Sequence, residues 1–161
     1  LAAIYPLGAR RSARALAATR APGAVLTTNR VADHIHPGDH GSTYAGSPFI
    51  TSVASYVFNR ISQPSFLEHV REVGGYLKDR LQEINSPLIK EVRGRGLMVG
   101  MEMDVEVGGI VEQGYQNGLM LVNAGTHVVR FVPPLILEKQ HVDTMIDRLT
   151  GILVNIGDKV Q

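Results

Sequence analysis

The sequence has no cysteine, which rules out a disulfide framework, thiolate catalysis and any zinc site built on sulfur, and is compatible with a reducing compartment. No apolar run approaches the roughly 18 residues a membrane span requires, so nothing in the chain reads as an integral membrane segment. A strong charge of either sign is also missing. Sixteen Lys and Arg against fifteen Asp and Glu leave a net +1, which gives no overall electrostatic case for nucleic acid or an acidic membrane. Acids are absent altogether from the first thirty residues, which hold Arg10, Arg11, Arg14, Arg20 and Arg30. Lysine is scarce, occurring only as Lys78, Lys90, Lys139 and Lys159. What is present suffices for a core: 161 residues, 44% hydrophobic, can bury one domain or two small ones.

Residues 7–21 are built almost wholly from Ala, Arg, Leu, Ser and Gly without an apolar period, and no regular structure is expected there. The tract has a transit-peptide composition, but the missing initial Met speaks against that reading. From Pro22 the signals become orderly. Gly23 to Thr28 reads as a short strand, and Val31 to Ile35 as a helical turn ended by Pro37-Gly38. After a loop of small and polar residues, Ser47 and Pro48 form an N-cap and first-turn pair, and Phe49, Ile50, Val53, Ala54, Val57, Phe58 and Ile61 recur at helical spacing. Ser65 and Glu68 suggest a capping box for a second helix, with Phe66, Leu67, Val70, Val73, Leu77, Leu81 and Ile84 on one face and Pro87 beyond its end. Leu97, Val99, Met101 and Met103 then alternate as in a half-buried strand. A short helix spans Val107 to Asn117, Leu119 to Val122 and Val128 to Val132 read as strands, and Val142 to Ile156 as a closing helix. The sequence thus implies an α/β chain ending in an α+β unit, divided as 1–21, 22–62 and 63–161.

Two stretches carry chemistry. The loop Gly38-Asp39-His40-Gly41-Ser42-Thr43-Tyr44-Ala45-Gly46 combines glycines, which allow close backbone approach, with hydroxyl donors. It suits either a surface turn or an anion such as phosphate or carboxylate. Arg130 stands in a strand beside Val128 and Val132, so its guanidinium projects from a largely apolar surface and needs an anion. An ion pair within the chain, snorkelling to solvent and a bound ligand all answer that need. Gly94-Arg95-Gly96 fails as a dinucleotide fingerprint, because the third glycine falls on Val99; close packing explains it better. His34, His36, His40 and Asp39 are enough donors for a metal, but nothing in their spacing fixes them together.

The segments GAVLTT, GDHGSTYAGSP, EVRGRGLMVGMEM and VVRFVPPL, in this order over residues 22–156, resemble the class III aminotransferases, with GDHGST and AGSP most similar to the acetylornithine type. The resemblance implies the C-terminal part of a fold-type I enzyme dependent on pyridoxal 5'-phosphate. Such an enzyme moves the δ-amino group of N-acetylornithine to 2-oxoglutarate in arginine biosynthesis, as a homodimer in the cytoplasm or an organellar stroma or matrix. It further implies that Thr43 reaches the cofactor phosphate of the other subunit, Ser42 the substrate, and Arg130 a substrate carboxylate.

Aminotransfer also needs a lysine that holds the cofactor covalently and shuttles a proton, which the family places about ten residues before the Pro-x-Gly-Ala strand. Counting back from Gly23 reaches Arg14, whose guanidinium stays protonated and is no nucleophile. Lys78, Lys90, Lys139 and Lys159 lie far from that position. The chain alone is therefore expected to be inactive, and residues 1–21 to come from a shifted frame or an unrelated junction. A non-catalytic dimerisation module, a fragment of an ornithine or 4-aminobutyrate aminotransferase, and a metalloprotein using the histidines remain as alternatives.

Overall fold

A computed structural model of the chain describes residues 2–5, 23–26, 28–39 and 47–160. The expectations for residues 7–21, for Arg14 and for His40, Ser42 and Thr43 lie outside them. Two compact units divide between Phe66 and Leu67.

In the first unit β1 (Ala2–Tyr5) and β2 (Gly23–Leu26) pair antiparallel, with Ala2 opposite Leu26 and Tyr5 opposite Gly23. A single helical turn, α1 (Asn29–Ala32), follows. The first long helix, α2 (Pro48–Ile61), starts where Pro48 was expected to start it. Ser47 is its N-cap by position but makes no side-chain cap bond; instead the Thr51 hydroxyl donates back to the Ser47 carbonyl at 3.0 Å. No residue of α2 is buried, and Phe49, Tyr56 and Phe58 are 75%, 77% and 59% exposed.

The second unit carries the core. The helix α3 (Pro64–Gln82) buries Val73, Leu77 and Leu81, one residue per turn on one stripe. The expected capping box does not form: Pro64 takes a helical position, Ser65 falls inside the helix, and Glu68 accepts from Arg71 at 3.0 Å instead. Beyond it lie β3 (Ile89–Arg95), β4 (Met98–Met103), α4 (Gly108–Gln116), β5 (Val122–Asn123), β6 (Val128–Phe131) and α5 (Lys139–Val160). The strands form one antiparallel sheet in the order β3-β4-β6-β5.

Strand alternation sorts that sheet into two faces. Val92, Val99, Met101, Met103, Val129 and Phe131 share one face and belong to a single buried cluster with α3, α4 and α5. From α5 come Val142, Ile146, Leu149 and Leu153, spaced four, three and four. Each such side chain, fully buried, contributes about 1.5–3 kcal/mol. The other face carries Glu91, Arg93, Arg95, Met98, Gly100, Glu102, Val122, Val128 and Arg130.

Gly96, at a left-handed φ of +54°, turns β3 into β4, and Gly74 of α3 abuts it so closely that a Cβ there would stand 2.5 Å from the Gly96 carbonyl carbon. This is the close packing expected of Gly94-Arg95-Gly96. The strand expected over Leu119 to Val122 is shorter and later. Gly118, at φ +70°, ends α4, and the Leu119 amide still donates to the Gly114 carbonyl at 2.7 Å, so the chain is free to pair only from Val122.

Candidate functional site

Arg130 sits in the middle of the sheet's second face. It pairs across β6–β4 with Gly100 and across β6–β5 with Val122, while Gly100 pairs in turn with Arg93. One row across four strands therefore reads Arg93, Gly100, Arg130, Val122. Gly100 places no side chain of its own between the two arginines, which stand two strands apart, about 10 Å by strand spacing, and Val128 Cγ1 leans over it, 3.3 Å from where a Cβ would stand. Val128 and Met98 occupy the neighbouring rows.

The two cations differ sharply in their partners. Arg93 Nη1 donates to Glu102 at 2.5 Å and to Glu91 at 2.8 Å. Those carboxylates, Glu102 first, push the Arg93 pKa up. Arg130 is half-buried and makes no hydrogen bond or ion pair among the described residues. The ion pair within the chain, one of the three readings of Arg130, is thus not found among the described residues.

A cavity of about 320 Å³ is lined by Leu77, Leu121, Phe131, Val142 and Met145, and also touches Arg130. The first five belong to the core or pack against it. Alternation along β6 sends the Arg130 side chain away from Val129 and Phe131. The cavity is thus lined both by core residues and by Arg130 with its row partner Val122.

None of the described lysine side chains borders this site. Lys90 pairs with Asp104 at 2.7 Å, holding that carboxyl below the usual carboxylate range, and Lys139 lies 3.7 Å from Glu72. Lys78 lies on α3. The clearest electrostatic tie elsewhere was not anticipated from sequence. Tyr76 Oη donates to Asp143 Oδ1 at 2.6 Å, and Arg80 Nε donates to the same oxygen at 3.1 Å, fastening α3 to α5. The tyrosine hydrogen bond, aided by Arg80, holds Asp143 low, and Asp143 in turn pushes Tyr76 up. Tyr76 and Arg80 stand four apart on α3, a spacing visible in the sequence, but their partner is 63 residues beyond Arg80.

In the His34–Asp39 turn, Asp39 accepts the backbone N–H of His36 at 2.7 Å. Among the described residues no three His, Asp or Glu gather as a metal site would need, and His40 lies outside them.

The family model described as aminotransferase class-III matches residues 11–153. A protein of Dictyostelium discoideum named "Probable acetylornithine aminotransferase, mitochondrial" is 42% identical over 139 residues, 84% of this chain and 31% of its own length. An ornithine aminotransferase of Staphylococcus carnosus is 36% identical over 129 residues, 80% of this chain and 33% of its own. The chain thus spans about a third of the length of the curated relatives it matches. Among solved structures, the ornithine delta-aminotransferase of Plasmodium falciparum superposes with a TM-score of 0.81 at 26% identity, covering 90% of this chain and 38% of that one.

Proposed function

The chain belongs to the class-III aminotransferases, and from that premise we propose that it is the C-terminal part of an enzyme that moves the δ-amino group of N-acetylornithine to 2-oxoglutarate in arginine biosynthesis. Arg130 is the observation that carries the reading. A half-buried guanidinium without a partner among the described residues, between Gly100 and Val122, fits a substrate carboxylate, which it would bind with charge-assisted hydrogen bonds and thereby orient. Val122 and Val128 flank Arg130 on the same face. Ser42 would contact the substrate, and Thr43 the cofactor phosphate across a homodimer interface. These two assignments rest on the motif GDHGSTYAGSP.

The cofactor implied by the family is pyridoxal 5'-phosphate, which when bound supplies an electron sink for the carbon that carries the transferred amino group. The described residues fit only the carboxylate end of such a site. The lysine that would hold the cofactor is, on this reading, missing at Arg14, and Lys78, Lys90 and Lys139 do not replace it. The chain by itself is then inactive, and the complete protein works in the cytoplasm or an organellar stroma or matrix. No helix among the described residues is long and apolar enough to cross a membrane.

The test is a donor series on a complete class III aminotransferase carrying residues 22–161 of this chain. N-acetylornithine is expected to be the preferred amino donor, over ornithine and 4-aminobutyrate. A preference for free ornithine would move the assignment to the ornithine type.

One observation favours a second reading, a dimerisation module without catalysis: the exposed aromatic side chains Phe49, Tyr56 and Phe58 of α2. Sedimentation of the purified chain over a concentration series separates the two. Reversible association without any carboxylate binding supports the module.

A further inference from the structure

Among the described residues Arg130 has no partner, and the same face of the sheet offers a cause. Glu102 of β4 pairs with Val128 of β6, two residues before Arg130, so Glu102 and Arg130 are diagonal cross-strand neighbours on one face. Long side chains reach across such diagonals, which are about 7–8 Å. Left to itself, Glu102 is the nearest carboxylate on that face able to neutralise Arg130. It points instead to β3, where Arg93 Nη1 holds it at 2.5 Å. The same nitrogen holds Glu91 at 2.8 Å; Gly100 between the two arginines has no side chain of its own, and Val128 Cγ1 leans over it, 3.3 Å from where a Cβ would stand.

We propose that Arg93 is a positioning residue: it clamps Glu102 toward β3 and so keeps the Arg130 guanidinium open to an incoming carboxylate. The inference rests on the reading of Arg130 as a carboxylate site and deepens it. Without Arg93, Glu102 turns to Arg130, and a ligand carboxylate has to displace it. The pair is exposed, with the Glu102 side chain at 37% and Arg93 at 49%, so the competition is of surface ion-pair size and not that of a buried one. An effect of about two- to fivefold on carboxylate affinity is expected.

The experiment uses the full chain, with its arginine side-chain N–H resonances followed by NMR during titration with 2-oxoglutarate. In the wild type the Arg130 Nε–H signal is expected to move on titration. Arg93→Ala should shift that signal before any ligand is added, as Glu102 takes hold, and should weaken the titration about two- to fivefold. The double variant Arg93→Ala/Glu102→Gln should return both the starting signal and the affinity to near wild-type values, because the competing charge is gone. Two failures are distinguishable. If 2-oxoglutarate leaves Arg130 unmoved in the wild type, the carboxylate site itself is wrong. If it binds there but the double variant stays as weak as Arg93→Ala, Arg93 acts through its own charge on the ligand, and the clamp is overturned. Backbone amide shifts confined to the sheet's open face in both variants guard against a folding defect.

Discussion

A guanidinium set among valines needs an anion, and Arg130 finds none among the described residues. Its isolation could be anticipated in part, since alternation around Val128 and Val132 already placed it on an apolar row. The clamp could not, because Arg93 and Glu102 come together only through the β3–β4 register. The assignments of Ser42 and Thr43 rest on motif alone. In a complete relative carrying this segment, Thr43→Ala is expected to loosen the cofactor by about 1–3 kcal/mol. In mixed dimers the loss should appear in the partner's site; a defect confined to the mutated subunit would contradict a trans contact.

Asp143 gives a residue-scale prediction of pH dependence. Its folded pKa lies below the ordinary 3.8 because Tyr76 and Arg80 bond to the charged form. A depressed carboxylate stabilises the fold fully above its unfolded value, and that contribution fades as pH falls below it. Urea titrations at pH 6 and pH 3 should therefore show a larger acid loss in the wild type than in Asp143→Asn. Equal losses would mean that the tie between α3 and α5 does not discriminate the charged state.

At the scale of elements, helical periodicity made α2, α3 and α5 legible, because long amphipathic stripes such as Val73, Leu77 and Leu81 leave little ambiguity. The strand β3 was harder. Only Val92 in Ile89–Arg95 is buried and its neighbours are charged, so it offers almost no alternation to read. Turn chemistry decided the remaining differences, as where Gly118 delays β5 to Val122. The contact of α3 with the β3–β4 turn yields a paired test. Gly74→Ala forces a Cβ against the Gly96 backbone and should destabilise by about 1–3 kcal/mol. Gly75→Ala meets nothing within 4 Å on the same helix and should stabilise by about 0.5–1 kcal/mol. Denaturant midpoints that move in the same direction for both would contradict this packing.

At the scale of the molecule, our proposal gives the chain the face that receives a carboxylate and puts the covalent half of an aminotransferase site elsewhere. The purified chain with pyridoxal phosphate is expected to show no turnover, and borohydride to leave its lysines unmodified. Turnover accompanied by cofactor trapped on Lys78, Lys90, Lys139 or Lys159 would mean that an unforeseen lysine does the work.

The central claim, that Arg130 binds the substrate's carboxylate, meets its most direct test in the complete relative carrying residues 22–161. The measurement is kcat/KM for N-acetylornithine in Arg130→Ala beside its cofactor affinity. Losing one side of a charge-assisted pair costs about 2–5 kcal/mol, so kcat/KM should fall by a matching factor while cofactor affinity holds. An unchanged kcat/KM, or a loss that tracks cofactor release, would contradict the assignment.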